Sequence, residues 1–396
     1  MAPPPESARH AVVIGAGLAG AAVCAALARL GWTLTLIDRA SGPAQGASAL
    51  PVGMLSPHVT RAPTPLSRLS ALGVASTRLE LERLLPQGQG WQDCEVDNHG
   101  HQPGRWPAAL VRPAALVHAW LDEARARTQL HTLWNTRVDH VMQTASGTGW
   151  LVLDAQQRSL AQAGVVVVAN AFDALRLLQT TSPLLDANNL PLRPVKGQMS
   201  LAALDHAPMA PRPQRNQGVF VPAYEDAGLA PDWPQRLWSM GSTYRRGEDN
   251  TLVSEEDHAQ NLKSLQTLCP SAAEQMAQAL AAKTLMGWSQ VRCASLDRLP
   301  LVGELPDVAS LQDPRIRAGA RSGRIPLSEA PRWPGLYILS ALGSRGLTLA
   351  HWCASALASQ IQGLEAQGLG PDPHTDFLQA LDPARFAWKQ ARRQDN

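Results

Sequence analysis

The sequence lacks the features that would mark a metalloprotein, a disulfide-stabilised protein or a secreted protein. Its eleven histidines form no metal-like cluster. The first ten residues lack the charged-then-apolar order of a signal peptide, so we expect a loose tail there. We therefore expect a cytoplasmic protein that binds no metal. The five cysteines are odd in number and lack metal-ligand spacing, as is typical of reduced thiols: Cys24, Cys94, Cys269, Cys293 and Cys353.

Charge of either sign is not in excess, and no apolar run predicts a membrane span. The 35 Lys and Arg against 33 Asp and Glu leave a net charge of +2, which by itself favours neither nucleic acid nor a membrane surface as partner. Residues 11 to 37 are apolar, but three glycines in one turn and Arg29 argue against a transmembrane helix. A chain of 396 residues is long for one core, so we expect two interleaved domains.

The stretch from Ala11 to Gly20 predicts a dinucleotide-binding turn. A β-branched run leads into Gly15, Gly17 and Gly20, and good helix formers follow. The first glycine allows a tight turn, the second lets the backbone approach a pyrophosphate, and the third lets helix and strand pack closely. The helix N-terminus then faces the phosphates. A second apolar strand ends at Asp38, 18 residues after Gly20, where an acid can bind a ribose hydroxyl.

A second unit of strand, glycine loop and helix lies at residues 335 to 361. Its helix N-terminus, near Gly343 to Gly346, could act on another part of the same ligand, although a purely structural turn is the alternative. A nicotinamide enzyme would continue as regular strand-helix alternation, whereas this chain leaves its first domain and returns twice. That order favours FAD in an extended pose, with the second helix stabilising the negative charge of the reduced flavin.

We predict an α/β fold in which a Rossmann-like FAD-binding domain is interleaved with a smaller antiparallel-sheet substrate domain. Helices are expected at residues 65 to 85 and from Glu255 to Lys283, the latter capped by Ser254. A strand is expected around Leu130 to Val141, and residues 304 to 334 are expected to form a variable loop. The predicted segments are 10–86, 110–180 and 285–396 for the FAD-binding domain, and 87–109 and 181–284 for the substrate domain.

Several blocks resemble known flavoproteins. The order of the two glycine turns, Asp38 and the buried strand at residues 165 to 169 is similar to that of the D-amino-acid oxidase and glycine oxidase superfamily, across nearly the whole chain. The longest and most specific blocks are Val-Arg-Cys-Ala and Ala-Leu-Gly-Ser-Arg-Gly. Four stretches resemble more narrowly the FAD-dependent half of the bifunctional tRNA-modifying MnmC family: Gln45 to Ser48 with Gly53 to Pro57, Pro194 to Gln198, Val291 to Gly303, and Ala341 to Leu347.

What this resemblance implies is oxidation of the carboxymethylaminomethyl group on the wobble uridine of certain tRNAs. A hydride would pass from the carbon beside the secondary amine to the flavin, and the imine would hydrolyse to an aminomethyl uridine and glyoxylate. The bifunctional proteins join this half to a methyltransferase, for which this sequence has no room. We therefore expect a stand-alone oxidoreductase with a separate methyltransferase partner, or a homologue with a changed substrate. A small-molecule glycine, sarcosine or D-amino-acid oxidase and a non-catalytic flavoprotein are the alternatives.

The resemblance also implies site residues. Arg292 matches the superfamily's carboxylate-binding arginine, whose planar guanidinium can hold the substrate's glycine-like tail by two hydrogen bonds, although an ion pair with Asp297 is the alternative. Lys196 would face the substrate or be a solvated strand residue, and Arg345 would lie near the flavin, near the carboxylate or at the surface. The residues expected to bind FAD are Gly15, Gly17, Leu18, Ala19, Gly20, Asp38, Arg39, Ala47, Ser48, Gly53, Met54, Val138, Gly343, Ser344, Arg345, Gly346 and Leu347.

Aromatic and basic residues provide further candidates for RNA contacts. With only three tyrosines in the chain, Tyr224 and Tyr244 could stack on a base or pack in the core. His58 is expected to be a structural histidine rather than a base. A C-terminal cluster could contact phosphates or form a solvated helix end: Arg385, Phe386, Trp388, Lys389, Arg392 and Arg393.

Overall fold

The computed structural model describes residues 9–363 and 375–393, so the expected N-terminal tail lies almost entirely outside the described residues. The strands are β1 (His10–Ile14), β2 (Thr33–Ile37), β3 (Gly53–Leu55), β4 (Trp91–Asn98), β5 (Gly104–Val111), β6 (Leu130–Leu133), β7 (His140–Gln143), β8 (Trp150–Leu153), β9 (Ser159–Ala163), β10 (Val165–Val168), β11 (Leu192–Ala203), β12 (Gln214–Arg215), β13 (Val219–Glu225), β14 (Arg236–Gly241), β15 (Arg245–Arg246), β16 (Met286–Ser295), β17 (Leu301–Pro306) and β18 (Arg332–Ser340). The helices are α1 (Leu18–Arg29), α2 (Pro65–Leu84), α3 (Pro113–Arg127), α4 (Asp173–Thr181), α5 (Glu255–Leu268), α6 (Pro270–Ala281), α7 (Pro314–Ser322), α8 (Gly346–Gln362), α9 (Thr375–Leu381) and α10 (Arg385–Ala391). Among these helices, none is both long enough and apolar enough to cross a membrane.

A six-stranded sheet forms the first layer, in the order β17-β18-β10-β1-β2-β6. Its neighbouring strands run parallel except for β17 and β18. Helices α1, α3 and α8 cover one face, and α4 with the small antiparallel sheet β7-β8-β9 covers the other. Because both faces are buried, β1 and β10 are continuous apolar runs rather than alternating ones. This layer is the Rossmann-like part of the fold.

A nine-stranded sheet forms the second layer, in the order β15-β11-β14-β13-β12-β4-β5-β3, with β16 also paired to β11. Most of its pairs are antiparallel, and β12 runs parallel to β4. Helices α5 and α6 pack on one face, and a second apolar cluster lies on the other. The predicted combination of a Rossmann-like domain with an antiparallel substrate sheet is confirmed.

The two domains exchange strands more often than the predicted boundaries allow. Both β3, from the segment 10–86, and β16, from the segment 285–396, lie in the nine-stranded sheet. Residues 304 to 334 are not one loop, because they contain the end of β17, helix α7 and the start of β18. The strand expected around Leu130 to Val141 is two strands, since β6 joins the six-stranded sheet and β7 joins the small sheet.

The polar helix expected from Glu255 to Lys283 is also divided. It breaks at Cys269 because Pro270 has no N–H for an intrahelical bond and instead starts α6. The expected cap is confirmed, since the Ser254 hydroxyl accepts a hydrogen bond from the Asp257 N–H at 3.2 Å.

Candidate active site

The first glycine turn joins β1 to α1 and leaves an open cradle. Gly15 has a φ of +107°, and a Cβ there would lie 2.7 Å from the Ala169 carbonyl oxygen. A Cβ at Gly20 would run into the Gly15 carbonyl oxygen, and a Cβ at Gly17 would lie 3.0 Å from the Ser48 Oγ. The three glycines are therefore required by a positive φ, a close approach and helix-strand packing, in the roles expected from their spacing.

Side chains around this turn hold its backbone. The Leu18 N–H, at the start of α1, donates to Ser48 Oγ at 3.0 Å. The Asp38 carboxylate accepts from the Ala16 N–H at 2.6 Å and from the Ala40 N–H at 2.8 Å. The first turn of α1 contains no acidic residue, so the helix N-terminus keeps its positive potential for an anion. Asp38 thus orders the turn, and its bond to a ribose stays a prediction.

Two more expected cofactor residues lie beside the end of β2. The segment before Val138 is tied to it, because the Thr136 N–H donates to the Asp38 carbonyl at 3.0 Å. Val138 itself is buried in the apolar cluster under the six-stranded sheet. Arg39 is exposed and forms an ion pair of 2.7 Å with Asp173. Arg39 is therefore at the surface and Val138 is in the core, and their contacts with FAD stay predictions.

The second glycine turn brings the start of α8 against the start of α1. The Gly343–Arg345 turn precedes α8, and Gly343 has a φ of +57°. A Cβ at Gly346 would lie 3.1 Å from the Leu18 Cδ1 atom. A Cβ at Gly53 would lie 2.7 Å from Leu347 Cδ1, so β3 packs against the first turn of α8. The two helix N-termini, 328 residues apart in the chain, are neighbours in space.

Arg292 on β16 lies next to this second turn. Two residues further along β16, Ala294 forms a β-bridge with Leu342, which links the nine-stranded sheet to the turn before α8. The Arg292 guanidinium donates to Ser242 Oγ at 2.9 Å and to the Thr243 carbonyl at 2.7 Å, while its Nε is buried without a partner. The Tyr244 ring centroid lies 5.4 Å from its Cζ.

Arg292 has no anionic partner in the described part of the chain. Burial lowers the pKa of its guanidinium to about 10, and no carboxylate opposes that effect. Asp297, the alternative partner, is instead held by Arg385 through two hydrogen bonds of 2.8 Å. A buried cation without a counter-ion is costly unless a ligand supplies the charge. Arg292 is therefore arranged to receive an anion.

Arg345 is the second cation near the start of α8. Its guanidinium donates to His58 Nδ1 at 3.2 Å. Burial lowers the pKa of Arg345, the nearby Arg298 lowers it further, and Tyr244 opposes the shift. Burial together with Arg345 and Arg215 lowers the pKa of His58 to about 4. His58 is thus neutral near pH 7 and accepts from Arg345, which agrees with its expected structural role.

Lys196 does not join this group. In the register of β11 and β16, Val195 lies opposite Arg292, so Lys196 projects from the other face of the sheet. Its side chain is buried there, 3.6 Å from Asp257 and 3.8 Å from Glu248. Neither the substrate role nor the solvated role expected for Lys196 agrees with this geometry. Lys196 contacts Arg292 only through its backbone carbonyl, which accepts from Nη2 at 3.3 Å, whereas a Cβ at Gly197 would run into the guanidinium.

The two tyrosines have different surroundings. Tyr224 is buried and its hydroxyl donates to Asp226 at 2.9 Å, so it is a core residue. Tyr244 is 44% exposed and lies between Arg292 and Arg246. Only Tyr244 is free to contact a base.

The C-terminal basic cluster is divided between residues that pack within the fold and residues that stay exposed. Arg385 is paired with Asp297, stacks over Phe386 at 4.5 Å and has an exposed side-chain fraction of 11%. Trp388 is buried. Lys389, Arg392 and Arg393 stay exposed. The expected phosphate contact is therefore excluded for Arg385 and stays a prediction for the three exposed residues.

Sequence reasoning did not single out Ser242 and Thr243, which orient Arg292. Neither belongs to a glycine motif, and their role depends on the pairing of β11 with β14 and β16, which joins residues far apart in the chain. Arg215 was missed for the same reason, since it reaches Ser56 Oγ at 2.8 Å from a different part of the chain. No local pattern marks these contacts.

The fold and the two glycine turns define a flavoprotein class, and comparison with known proteins agrees. Residues 10–104 and 101–360 match the DAO family model, described as FAD dependent oxidoreductase, and the chain belongs to this family. It is similar in fold to glycine oxidase from Geobacillus kaustophilus, with a TM-score of 0.64 and 18% identity over 95% of this chain and 99% of that one. L-proline dehydrogenase from P. horikoshii gives a TM-score of 0.66 at 13% identity, over 98% of this chain and 99% of that one.

Within this family, the chain is similar to proteins named tRNA 5-methylaminomethyl-2-thiouridine biosynthesis bifunctional protein MnmC. The relative from Verminephrobacter eiseniae is 34% identical, over 91% of this chain and 62% of the relative. The one from Ralstonia nicotianae is 35% identical, over 97% of this chain and 61% of the relative. The chain thus spans about three fifths of the length of the curated relatives it matches. The resemblance drawn from the sequence blocks is confirmed.

The protein is accordingly an FAD-dependent oxidoreductase, and the residues of the first turn fit that cofactor. The cradle at Gly15 and Gly17 is a space that a Cβ would fill. Asn170, whose Cα would lie 2.8 Å from a Gly15 Cβ, has a buried Oδ1 atom without a hydrogen-bond partner. The α1 N-terminus suits the pyrophosphate and the α8 N-terminus suits the flavin.

Proposed function

We propose that this protein removes the carboxymethyl group from 5-carboxymethylaminomethyluridine, with or without a 2-thio group, at the tRNA wobble position. The products are 5-aminomethyluridine and glyoxylate. The observation that carries the proposal is Arg292, a largely buried guanidinium without a carboxylate partner in the described residues, next to the turn that starts α8. The printed names of the relatives support tRNA as the substrate class.

Arg292 can fix the glycine-like tail of the substrate. Its Nη1 donates one hydrogen bond, to Ser242 Oγ, and keeps a second N–H for a ligand, and the fork of a guanidinium matches a carboxylate with two parallel hydrogen bonds. Ser242 Oγ accepts from Nη1, and the Thr243 and Lys196 carbonyls accept from Nη2, so the guanidinium is already oriented before substrate binds. Each charge-assisted hydrogen bond contributes about 1.5–3 kcal/mol. The carbon between the carboxylate and the amine is thereby placed at a fixed position.

When FAD is bound, the chemistry that it would supply is to accept a hydride from that carbon. The protein's own side chains orient the carboxylate tail and shield the reacting carbon from water. Tyr244 forms one wall beside Arg292, and its exposed part can stack on the uracil or on a neighbouring base. Water then hydrolyses the imine, which releases glyoxylate and leaves the primary amine on the nucleoside.

The product defines the partner that we expect. A primary aminomethyl group is a methyl acceptor, so a separate methyltransferase acting on that amine is the proposed partner. Since tRNA is the proposed substrate, we also propose that the protein acts in the cytoplasm.

A small-molecule amine oxidase of the glycine oxidase type is the second candidate. Arg292 favours it as much as the first candidate, because a free amino acid presents the same carboxylate. Anaerobic flavin reduction separates the two. We expect reduction by tRNA containing the modified uridine and none by free glycine, sarcosine or D-amino acids. Rapid reduction by one of these amino acids, with none by the modified tRNA, would instead support the second candidate.

A further inference from the structure

A group of cations surrounds His58 and extends from the proposed carboxylate site toward the surface. We define this cationic cluster as Arg215, Arg298 and Arg345, which lie around the neutral imidazole of His58. Arg215 donates to the Pro57 carbonyl beside His58, and Arg298 follows the end of β16, where Ala294 is bridged to Leu342 in the turn that leads to Arg345. Together with burial, the three arginines lower the pKa of His58. Arg345 contacts His58 directly at 3.2 Å, and Arg298 and His101 are exposed. One end of the cluster, at Arg345, is therefore half-buried, and the other end, at Arg298, is open to solvent.

Arg215 is the fixed member of the cluster. Its Nε donates to Asn98 Oδ1 at 2.9 Å, and its Nη1 donates to Ser56 Oγ and to the Pro57 carbonyl at 2.8 Å each. Its Nη2 is buried without a partner. Desolvation lowers the pKa of Arg215, and no neighbouring acid opposes it. The guanidinium is thus held by neutral oxygens next to the backbone that leads into His58.

The cluster has more positive charge than the proposed small ligand can balance. Within residues 9–363 and 375–393, no Asp or Glu pairs with Arg215, Arg298 or Arg345. Elsewhere in the chain, arginines of similar burial do have acidic partners, as Arg112 has Asp226 at 2.7 Å. The substrate carboxylate accounts for Arg292. The desolvated guanidiniums of Arg215 and Arg345 therefore keep a positive charge that no described acid balances, and this charge favours an anion at the open end.

We infer that the open end of the cationic cluster is a second anion site, which takes a phosphodiester of the RNA strand carrying the substrate nucleoside. Arg298 makes the direct contact, because it is exposed and no other group in the described residues pairs with it. Arg215, which is held in place by its hydrogen bonds, adds positive potential at this site. This inference rests on the proposed function, because it assumes that the nucleoside is delivered as part of an RNA strand. A free amino acid would leave this site empty.

The test compares RNA with its isolated nucleoside in the holoenzyme. We would measure binding of a fluorescent anticodon stem-loop by anisotropy at several salt concentrations, for wild type and Arg298→Gln. We would also measure the KM for the modified stem-loop and for free 5-carboxymethylaminomethyluridine, which has no phosphate. Arg125→Gln is the matched control, since Arg125 is an exposed arginine on α3 that pairs with Asp122 at 2.7 Å.

We expect Arg298→Gln to weaken stem-loop binding about fivefold, the upper range for one exposed ion pair. The slope of log K against log salt should become shallower by about 0.7, as expected when one phosphate of a single strand is no longer neutralised by the protein. The KM for the free nucleoside and the binding by Arg125→Gln should not change. A purely structural role for Arg298 would affect nucleoside and stem-loop alike.

An unchanged salt slope in Arg298→Gln, or equal effects on nucleoside and stem-loop, would overturn the inference. Failure of wild type to bind the stem-loop would do the same. A different result defines failure of the proposed function. If the stem-loop binds with the expected salt dependence but neither it nor the nucleoside reduces the flavin, the anion site stands and the proposed reaction is wrong.

Discussion

Replacement of Arg292 tests the substrate site most sharply. Arg292→Ala removes a guanidinium that no carboxylate in the described residues neutralises. If it holds the substrate carboxylate by two charge-assisted hydrogen bonds, their loss costs at least about 3 kcal/mol. At about 1.4 kcal/mol for each factor of ten, kcat/KM should fall at least about a hundredfold. Arg292→Lys keeps the positive charge but loses the planar fork, so kcat/KM should fall less in this variant than in Arg292→Ala.

The assay is anaerobic flavin reduction by the modified stem-loop, with bound flavin measured by absorbance. The variants should keep the yellow cofactor, because Arg292 lies in the nine-stranded sheet and not in the first glycine turn. Arg246→Gln is the matched control, since Arg246 also lies over the Tyr244 ring, at 5.7 Å. We expect it to retain activity. Arg292→Lys provides the test if Arg292→Ala does not fold.

A second substrate makes the test specific to the carboxylate. The glycinamide form of the side chain keeps the amine and removes the negative charge. Wild type should lose about a hundredfold in kcat/KM on this substrate, whereas Arg292→Ala should lose little more than it has already lost. The reasoning is refuted if Arg292→Ala has wild-type kcat/KM. It is also refuted if the loss of kcat/KM for Arg292→Ala on the glycinamide substrate equals the product of the two separate losses.

Three further changes test other parts of the structure. Gly15→Ala should yield protein without flavin, because Gly15 has a positive φ and no space for a Cβ, while Gly164→Ala, with open space around it, should stay yellow. Glu80, on α2, is buried and pairs with Arg29 and Arg83, so Glu80→Gln should lower the free energy of unfolding in urea by about 3 kcal/mol. Glu82 is more exposed and pairs with Arg78, so Glu82→Gln should cost less than about 1 kcal/mol. The folded-state pKa of His58, about 4, lies below its usual 6.5, so the unfolded chain binds more protons between these values and stability should rise with pH across that window. His58→Asn should reduce the rise of Tm between pH 4.5 and 6.5, and an unchanged rise would contradict the assignment.

The parts of the fold that follow from local sequence were predictable. The positive φ of Gly15 and the contact of Gly20 with the Gly15 carbonyl are set within ten residues of chain, whereas the contacts of Gly15 with Ala169 and of Gly17 with Ser48 come from other parts of the chain. Helix α2 begins at Pro65 after Thr64, which accepts from Ser67 N–H in a capping box, and it ends close to the expected position. Such signals act over one or two turns and do not need the rest of the molecule.

The side of a sheet on which a residue lies was not predictable in the same way. Lys196 and Gly197 are adjacent, yet only Gly197 faces Arg292, because successive residues of a strand point to opposite faces. Deciding between the two faces needs the packing of α5, which holds Lys196 through Asp257. The contact between His58 and Arg345 joins residues 287 positions apart. Neither contact leaves a local pattern in the sequence.

Nucleoside analysis tests the proposed oxidation of the modified wobble uridine of tRNA most directly. The purified holoenzyme would be incubated with tRNA from cells that lack this activity, and the digested nucleosides measured by mass spectrometry. We expect loss of the carboxymethylaminomethyl form, an equal gain of the aminomethyl form and release of glyoxylate. Unchanged nucleosides with a fully loaded, reducible flavin would contradict the account.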